Sequence, residues 1–99
     1  THSDRIRTIR TTFERYGVIV DPHTADGIKV ALAHIDRDVP MICLETALPA
    51  KFPETIIEAL GREPERPAAY AGLETRPQRF ERLPADAEAV KSFIACHVS

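Results

Sequence analysis

Two polar residues that could do chemistry, Glu45 and Thr46, directly follow the apolar run at residues 41–44. Prolines lie on both sides of this run, which favours a short buried strand over about residues 41–46 rather than a helix. In open α/β sheets, ligands bind outside the carboxyl ends of such strands. We therefore expect a binding site at this end of the run, although for Thr46 itself the pattern alone favours a threonine that only closes a strand. Glu45 would need a second placed group to act as an acid or base.

Thiol and imidazole side chains indicate no second site. Cys43 lies inside the apolar run, where a buried thiol fills a core and is unreactive. Cys43 and Cys96 lack the spacing of a disulfide framework, so both are expected to be reduced. His23 has two open interpretations, because it either faces a cleft or is a surface residue in the first turn of a helix. The four histidines show no close metal-ligand spacing, and no metal site is predicted.

The residues above would be positioned by helices and two strands. Asp21 is a suitable helix N-cap, and Gly17 a suitable helix stop. Four helices are predicted, over residues 3–16, 22–35, 53–60 and 85–96. Residues 62–84, before the last helix, are predicted to be irregular. β-branched residues predict a short strand over 18–20, which forms a right-handed βαβ unit with the strand at 41–46. The predicted fold class is therefore α/β, mostly helical with one central strand.

Apolar spacing indicates which faces are buried. Apolar residues recur at helical spacing in the first and last helices and are expected to face a core: Ile6, Ile9, Phe13, Tyr16, Val90, Phe93 and Ile94. The arginines of the first helix are expected on its solvated face. Gly27, inside the second helix, costs about 1 kcal/mol relative to alanine, and close packing would explain it. Scattered apolar anchors lead us to expect that residues 62–84 lie over a surface.

The composition is that of one small globular domain. The chain has 99 residues, 43% of them hydrophobic, and a net charge of −2 with both signs interspersed. This balance offers no basic field for nucleic acid and no polybasic patch for a membrane surface. No apolar run approaches the roughly 20 residues that span a bilayer, and no signal-peptide pattern occurs at the amino end. We expect a cytoplasmic protein without nucleic-acid or membrane partners.

Two segments carry a resemblance to a known family. Residues 46–52, Thr-Ala-Leu-Pro-Ala-Lys-Phe, resemble the threonine synthase segment that usually reads Thr-Ala-His-Pro-Ala-Lys-Phe. Upstream, residues 16–25 resemble the family's Tyr-Gly, apolar pair, Asp-Pro-His-Thr-Ala segment, in the right order and at the right distance. Residues 83–86, followed by a helical run, are similar to the family's final helix. The resemblance covers nearly all of the chain, which we expect to be the last part of a longer threonine synthase polypeptide.

The resemblance implies a pyridoxal-phosphate (PLP) enzyme of the tryptophan-synthase-like fold, fold type II. Such an enzyme is a lyase that converts O-phosphohomoserine and water to L-threonine and phosphate. The resemblance also implies that this chain belongs to the large domain of the enzyme. Within it, the Thr46 hydroxyl would bind the pyridine nitrogen of PLP. The Schiff-base lysine and the glycine-rich phosphate loop of these enzymes have no counterpart here, so no catalytic residue is expected in this chain.

Two positions of the second segment need separate interpretation. Lys51 lies in the family's Pro-Ala-Lys-Phe stretch, where it either steadies the loop or presents charge to an anionic substrate. Leu48 stands where the family usually has histidine, and this departure removes a polar, titratable group.

Two hypotheses follow for the whole chain. In the first, it is the carboxyl-terminal part of a threonine synthase and is inactive alone. In the second, it is a stand-alone interaction module that keeps the ancestral packing and uses bared strand edges to dimerise or bind a partner. A buried strand needs hydrogen-bonded neighbours, and the two predicted strands do not complete a sheet. We expect other parts of a larger protein to supply the neighbouring strands. Otherwise, the isolated chain associates with itself through its exposed strand edges.

Overall fold

The computed structural model describes residues 1–98. Four α-helices have the bounds His2–Tyr16 (α1), Pro22–Ala33 (α2), Pro53–Leu60 (α3) and Ala87–His97 (α4). Three single turns of 3₁₀ helix lie at Pro49–Lys51, Ala68–Tyr70 and Leu73–Thr75. Because α1 packs against both α2 and α3, residues 1–61 form a three-helix body. Residues 62–98 continue from the body as an arm.

Local sequence sets the helix ends of the body. The Thr1 side chain accepts a hydrogen bond from the Asp4 N–H, and the Asp4 side chain caps the Thr1 backbone in return. Gly17 ends α1 in the left-handed conformation, with φ of 69°, which glycine adopts without a Cβ penalty. Asp21 caps α2 as predicted, because its side chain accepts hydrogen bonds from the backbone N–H groups of the first turn.

The core of the body lies where α1, α2 and α3 meet. Six apolar side chains are buried there: Ile6, Ile9, Val20, Ala25, Ile56 and Ala59. Ile6 and Ile9 share one face of α1, since residues three apart lie on the same side of a helix. Tyr16, the last residue of α1, was expected to face the core and is instead 69% exposed.

Polar contacts fix the helices around this core. The Arg5 guanidinium forms a two-pronged ion pair with Asp26 of α2, with Nε 3.1 Å from each carboxylate oxygen. Arg10 Nε donates to the Ala59 carbonyl of α3 across 3.0 Å. Two α1 arginines that were expected on a solvated face therefore join α1 to its neighbours.

The predicted strands at 41–46 and 18–20 are wrong, because residues 1–98 contain no strand. Residues 41–46 have neither helical nor sheet structure, and a single isolated bridge joins Asp36 and Val39 nearby. Ile42 and Leu44 are 79% and 76% exposed, not buried. The physical reason is that a strand exists only with hydrogen-bonded neighbours, and the two segments do not pair with each other. The chain by itself is helical.

Most of the arm does not fold back on the body. Residues 71–88 are exposed throughout, and α4 has no buried residue. The radius of gyration is 18.8 Å, against about 13 Å for a compact domain of this length. The expectation that residues 62–84 lie over a surface agrees with the first part of the arm, where the Arg62 guanidinium lies 4.4 Å from the centroid of the Phe13 ring and Tyr70 lines a hollow together with Lys51. The expectation that α4 buries Val90, Phe93 and Ile94 is wrong within this chain, because the core of the body closes without α4.

Candidate functional site

A cleft between α2 and the segment 41–46 is the candidate site. Its volume is about 790 Å³, and most of its lining is apolar. The lining residues come from α2 and its carboxyl end on one side and from the segment on the other: His23, Asp26, Gly27, Val30, Ala31 and His34, then Met41, Ile42, Cys43, Leu44 and Thr46. An apolar hollow edged by a few polar groups is the usual form of a site for a small molecule or cofactor.

The segment 41–46 approaches α2 closely at Gly27. A Cβ atom added to Gly27 would lie 2.9 Å from the Cys43 Sγ atom, which is too close for van der Waals contact. The Cys43 thiol donates toward the Thr24 carbonyl, 3.9 Å away. This contact supplies the close packing that was predicted for a glycine inside the helix. Cys43 itself is exposed and not the buried core residue expected, because only α2 covers it.

Thr46 lies at the edge of the cleft and is exposed. Its side chain is therefore accessible to a molecule in the cleft. Glu45 beside it is also exposed, but it does not line the cleft. The arrangement offers one neutral hydrogen-bonding group at this end of the hollow.

Asp21 is fully buried and holds the start of α2. It accepts hydrogen bonds from the His23 N–H at 2.9 Å, the Thr24 N–H at 3.4 Å and the Thr24 hydroxyl. Burial alone would raise the pKa of Asp21, but these hydrogen bonds and one with the His23 ring outweigh burial and lower it. The carboxylate is therefore ionised and can only accept, so His23 Nδ1, 3.1 Å away, donates to it.

His23 joins the two segments that carry the resemblance. Its ring lies edge-on against Phe52, with centroids 5.1 Å apart and planes at 63°. Phe52 closes the loop 46–52, in which its N–H donates to the Pro49 carbonyl across 2.9 Å. Both interpretations of His23 describe part of what is observed, because its side chain is 63% exposed in the first turn of α2 and also lines the cleft of Thr46. Sequence reasoning missed Phe52 as its partner, because no local pattern links residues so far apart.

Asp26 is a second residue that sequence reasoning missed. Asp26 is among the residues that line the cleft, and hydrogen bonds from Arg5 keep the pKa of Asp26 below its ordinary value. Its negative charge is balanced by the Arg5 guanidinium, so the pair holds α1 against α2 beside the cleft. The only sequence signal for this pair was the excess of arginines on α1. That excess does not show with which carboxylate each arginine pairs.

The three lysines lie outside the cleft. Lys29 Nζ is 3.2 Å from an Asp4 oxygen, and Lys91 Nζ is 2.7 Å from a Glu88 oxygen. Lys51 lines a separate hollow between the loop 46–52 and the first part of the arm. None of the three lysines is among the residues that line the cleft beside Thr46.

Two other classes of site are absent from the part of the chain that the structure describes. Within residues 1–98, no three histidine, cysteine, aspartate or glutamate side chains gather closely enough to hold a metal ion. Among the same residues, no helix has the length and apolar character needed to cross a membrane.

Comparisons with known proteins agree along the whole chain. The family model described as "Threonine synthase, C-terminal" matches residues 24–94. The chain is 58% identical over 97 residues to a threonine synthase of Methylobacillus glycogenes, an alignment that covers 98% of the chain and 20% of that protein. It is 46% identical over 95 residues to a threonine synthase of Corynebacterium glutamicum, which covers 95% of the chain and 20% of that protein.

A solved structure gives the same result. A PLP-bound threonine synthase from Brucella melitensis matches with a TM-score of 0.78 and 35% sequence identity. The match covers 98% of this chain and 21% of the solved one. The chain therefore spans about a fifth of the length of the proteins it matches.

Proposed function

Because the chain belongs to the threonine synthase family, we propose that it forms the carboxyl-terminal part of an enzyme that converts O-phosphohomoserine and water to L-threonine and phosphate. The observation that carries this proposal is the match of nearly the whole chain to a solved threonine synthase. The exposed apolar side chains of the segment 41–46 and of the arm support it, because they are suited to packing against further parts of such an enzyme.

The predicted cofactor is confirmed for the family, since the solved relative is a PLP-bound threonine synthase. We assign the cofactor contact in this chain to Thr46, whose exposed hydroxyl at the edge of an apolar cleft fits the nitrogen at the edge of a pyridine ring. When bound, PLP supplies an electron sink for the reaction. A neutral hydroxyl holds the ring nitrogen without forcing its protonation, whereas a carboxylate at the same place would favour the charged pyridinium form.

The reacting groups are assigned to other parts of the enzyme. Lys29 and Lys91 are paired with carboxylates, and Lys51 lines a different hollow. The Schiff-base lysine and the phosphate-binding loop would then lie in the four-fifths of the enzyme that this chain does not span. The role of the chain is to form one apolar wall of the cleft, exclude water there and present Thr46.

The test is substitution of Thr46 in the complete, PLP-loaded protein. Thr46→Val removes the hydroxyl but keeps the shape of the side chain. We expect a changed absorption spectrum of the bound cofactor and a kcat lowered roughly 2- to 10-fold, as for the loss of one neutral hydrogen bond. Thr46→Ser should retain both properties, and Thr11→Val on the exposed side of α1 is the matched control. A wild-type spectrum and rate for Thr46→Val would contradict the assignment.

The isolated chain provides a second test. Mixed with PLP, it should give the absorbance of free PLP only, and turnover should return when the remaining part of the enzyme is supplied. Robust turnover by the chain alone would overturn the proposal.

A second candidate function is an interaction module, and one observation favours it. Ile42 and Leu44 are 79% and 76% exposed on a segment with unpaired backbone, which suits strand addition by a second copy or a partner. A stable dimer of the isolated chain, held through this segment, would support the module. Weak association that depends on concentration would support the enzyme part.

A further inference from the structure

We propose that His23 is the positioning residue that sets the place of Thr46 in the cleft, an inference that rests on the proposed function of Thr46. His23 and Gly27 are four residues apart on α2, so they lie on the same face of the helix. Cys43, which precedes Thr46, packs against Gly27. Phe52, at the end of the loop that follows Thr46, packs against His23. One helix face therefore holds the chain on both sides of Thr46.

The loop 46–52 is stiff enough to transmit this contact. Pro49 and Pro53 have fixed φ angles, and the Lys51 N–H donates to the Leu48 carbonyl across 3.1 Å. The Phe52 carbonyl also accepts from the Ile56 N–H of α3 at 3.2 Å, so α3 holds the backbone of Phe52 while His23 contacts its ring. We therefore expect loss of the His23 ring to displace the Phe52 side chain and, through the constrained turn 48–52, to alter the position of Thr46.

Asp21 gives the His23 ring a single orientation. The Asp21 carboxylate is fully buried, and it accepts from both the backbone N–H and the ring Nδ1 of His23, at 2.9 and 3.1 Å. These two bonds fix the backbone and the ring of His23 against an immobile group. The ring edge then makes the contact with Phe52, while most of the side chain stays exposed.

The first experiment separates the ring contact from the hydrogen bond in the complete, PLP-loaded enzyme. His23→Ala should change the cofactor absorption spectrum and lower kcat by roughly 2- to 10-fold, no more than Thr46→Val does, because the effect passes through the Thr46 hydrogen bond. His23→Phe keeps a ring against Phe52 and should restore most of the rate, whereas His23→Asn places an amide N–H where Nδ1 donates to Asp21, keeps no ring and should not restore it. Full rescue by Asn but not by Phe would overturn the proposal.

The second experiment asks whether His23 acts through Thr46. If it does, His23→Ala should lower kcat less than about 2-fold further in the Thr46→Val background, because coupled residues are not additive. If the two losses of kcat multiply in the double variant, the inference about His23 is overturned, but the proposed contact of Thr46 is not. A silent Thr46→Val would overturn the proposed Thr46 contact, and this inference with it.

His97→Ala is the matched control for these experiments. His97 makes a ring contact with Phe93, centroids 4.0 Å apart, on α4 and outside the cleft. Its removal should leave the cofactor spectrum and the rate unchanged, and the same losses in this variant as in His23→Ala would count against a role specific to His23.

Discussion

Gly27 and Cys43 touch so closely that a Cβ atom on Gly27 would lie 2.9 Å from the Cys43 Sγ atom. This contact holds the segment 41–46 against α2, although no sheet hydrogen bonds are present among residues 1–98. The glycine is therefore explained by the approach of a neighbouring segment, since its place in the middle of a helix is otherwise unfavourable.

The contact predicts that the effect of Gly27→Ala depends on residue 43. Alanine removes a helix cost of about 1 kcal/mol, but in the wild-type background the Cys43 thiol must move away. We expect Gly27→Ala to be nearly neutral alone and to stabilise the chain by about 1 kcal/mol in a Cys43→Ala background. Urea unfolding of the four variants measures the difference. Equal changes in the free energy of unfolding in both backgrounds would show that the Cys43 thiol does not restrict which side chain residue 27 can carry.

Asp21 is predicted to stabilise the body in a way that depends on pH. Asp21→Ala should cost about 2 to 4 kcal/mol, because it removes an N-cap and leaves the buried Thr24 hydroxyl without its acceptor. Asp21→Asn should cost less, since asparagine is also a good cap. The free energy of unfolding at pH 7 from urea titration measures both losses.

The pH dependence of this effect has a definite sign. The pKa of Asp21 is lowered in the folded chain from its ordinary value of 3.8. Its contribution is therefore present above that value and is lost as pH falls through the folded pKa. The stability difference between the wild type and Asp21→Asn should shrink on acidification below about pH 4. A difference that stays constant down to pH 2 would count against the ionised, buried carboxylate.

The small core predicts a sharp contrast between two adjacent isoleucines of α3. Ile56 is fully buried, whereas Ile57 is 41% exposed. Ile56→Ala should cost about 2 to 5 kcal/mol, enough to unfold a domain of marginal stability. Ile57→Ala should cost less than about 1 kcal/mol. Helical circular dichroism during urea titration measures both, and similar losses would contradict the placement of the core.

The exposed segment predicts opposite effects of one substitution in two settings. Ile42→Lys adds charge to the apolar segment, so it should reduce self-association of the isolated chain, measured by size exclusion with light scattering. In the complete protein the same change should lower the yield of folded enzyme, because the side chain would be covered there. Ile94→Lys on α4 is the control for the isolated chain. Loss of association with Ile94→Lys alone would place the contact on the arm instead.

The sequence is most informative where structure is local. Asp21 and Gly17 were recognisable as a cap and a stop, because each acts on backbone groups within one helical turn. The close approach at Gly27 was also predictable, since glycine in a helix interior needs a reason. The family resemblance allowed Thr46 to be singled out, and Thr46 lies at the edge of a cleft.

Non-local structure could not be derived from the same residues. The apolar run at 41–44 shows that these side chains prefer burial, but it does not show which segment covers them. Among residues 1–98 the run meets α2 at Cys43 but has no neighbouring strand, so the predicted strand is missing and Leu44 is exposed. The contacts of His23 with Phe52 and of Arg5 with Asp26 likewise join distant residues, and only the packing of the helices brings them together.

The arm has a consequence for how such an enzyme matures. Its apolar side chains, among them Phe80 and Ile94, find no place on the three-helix body and stay available for another surface. Ordering a free backbone costs about 1 to 2 kcal/mol per residue, so the arm would settle only once that surface exists. We therefore expect the arm to become ordered only after the surface that covers Phe80 and Ile94 has folded.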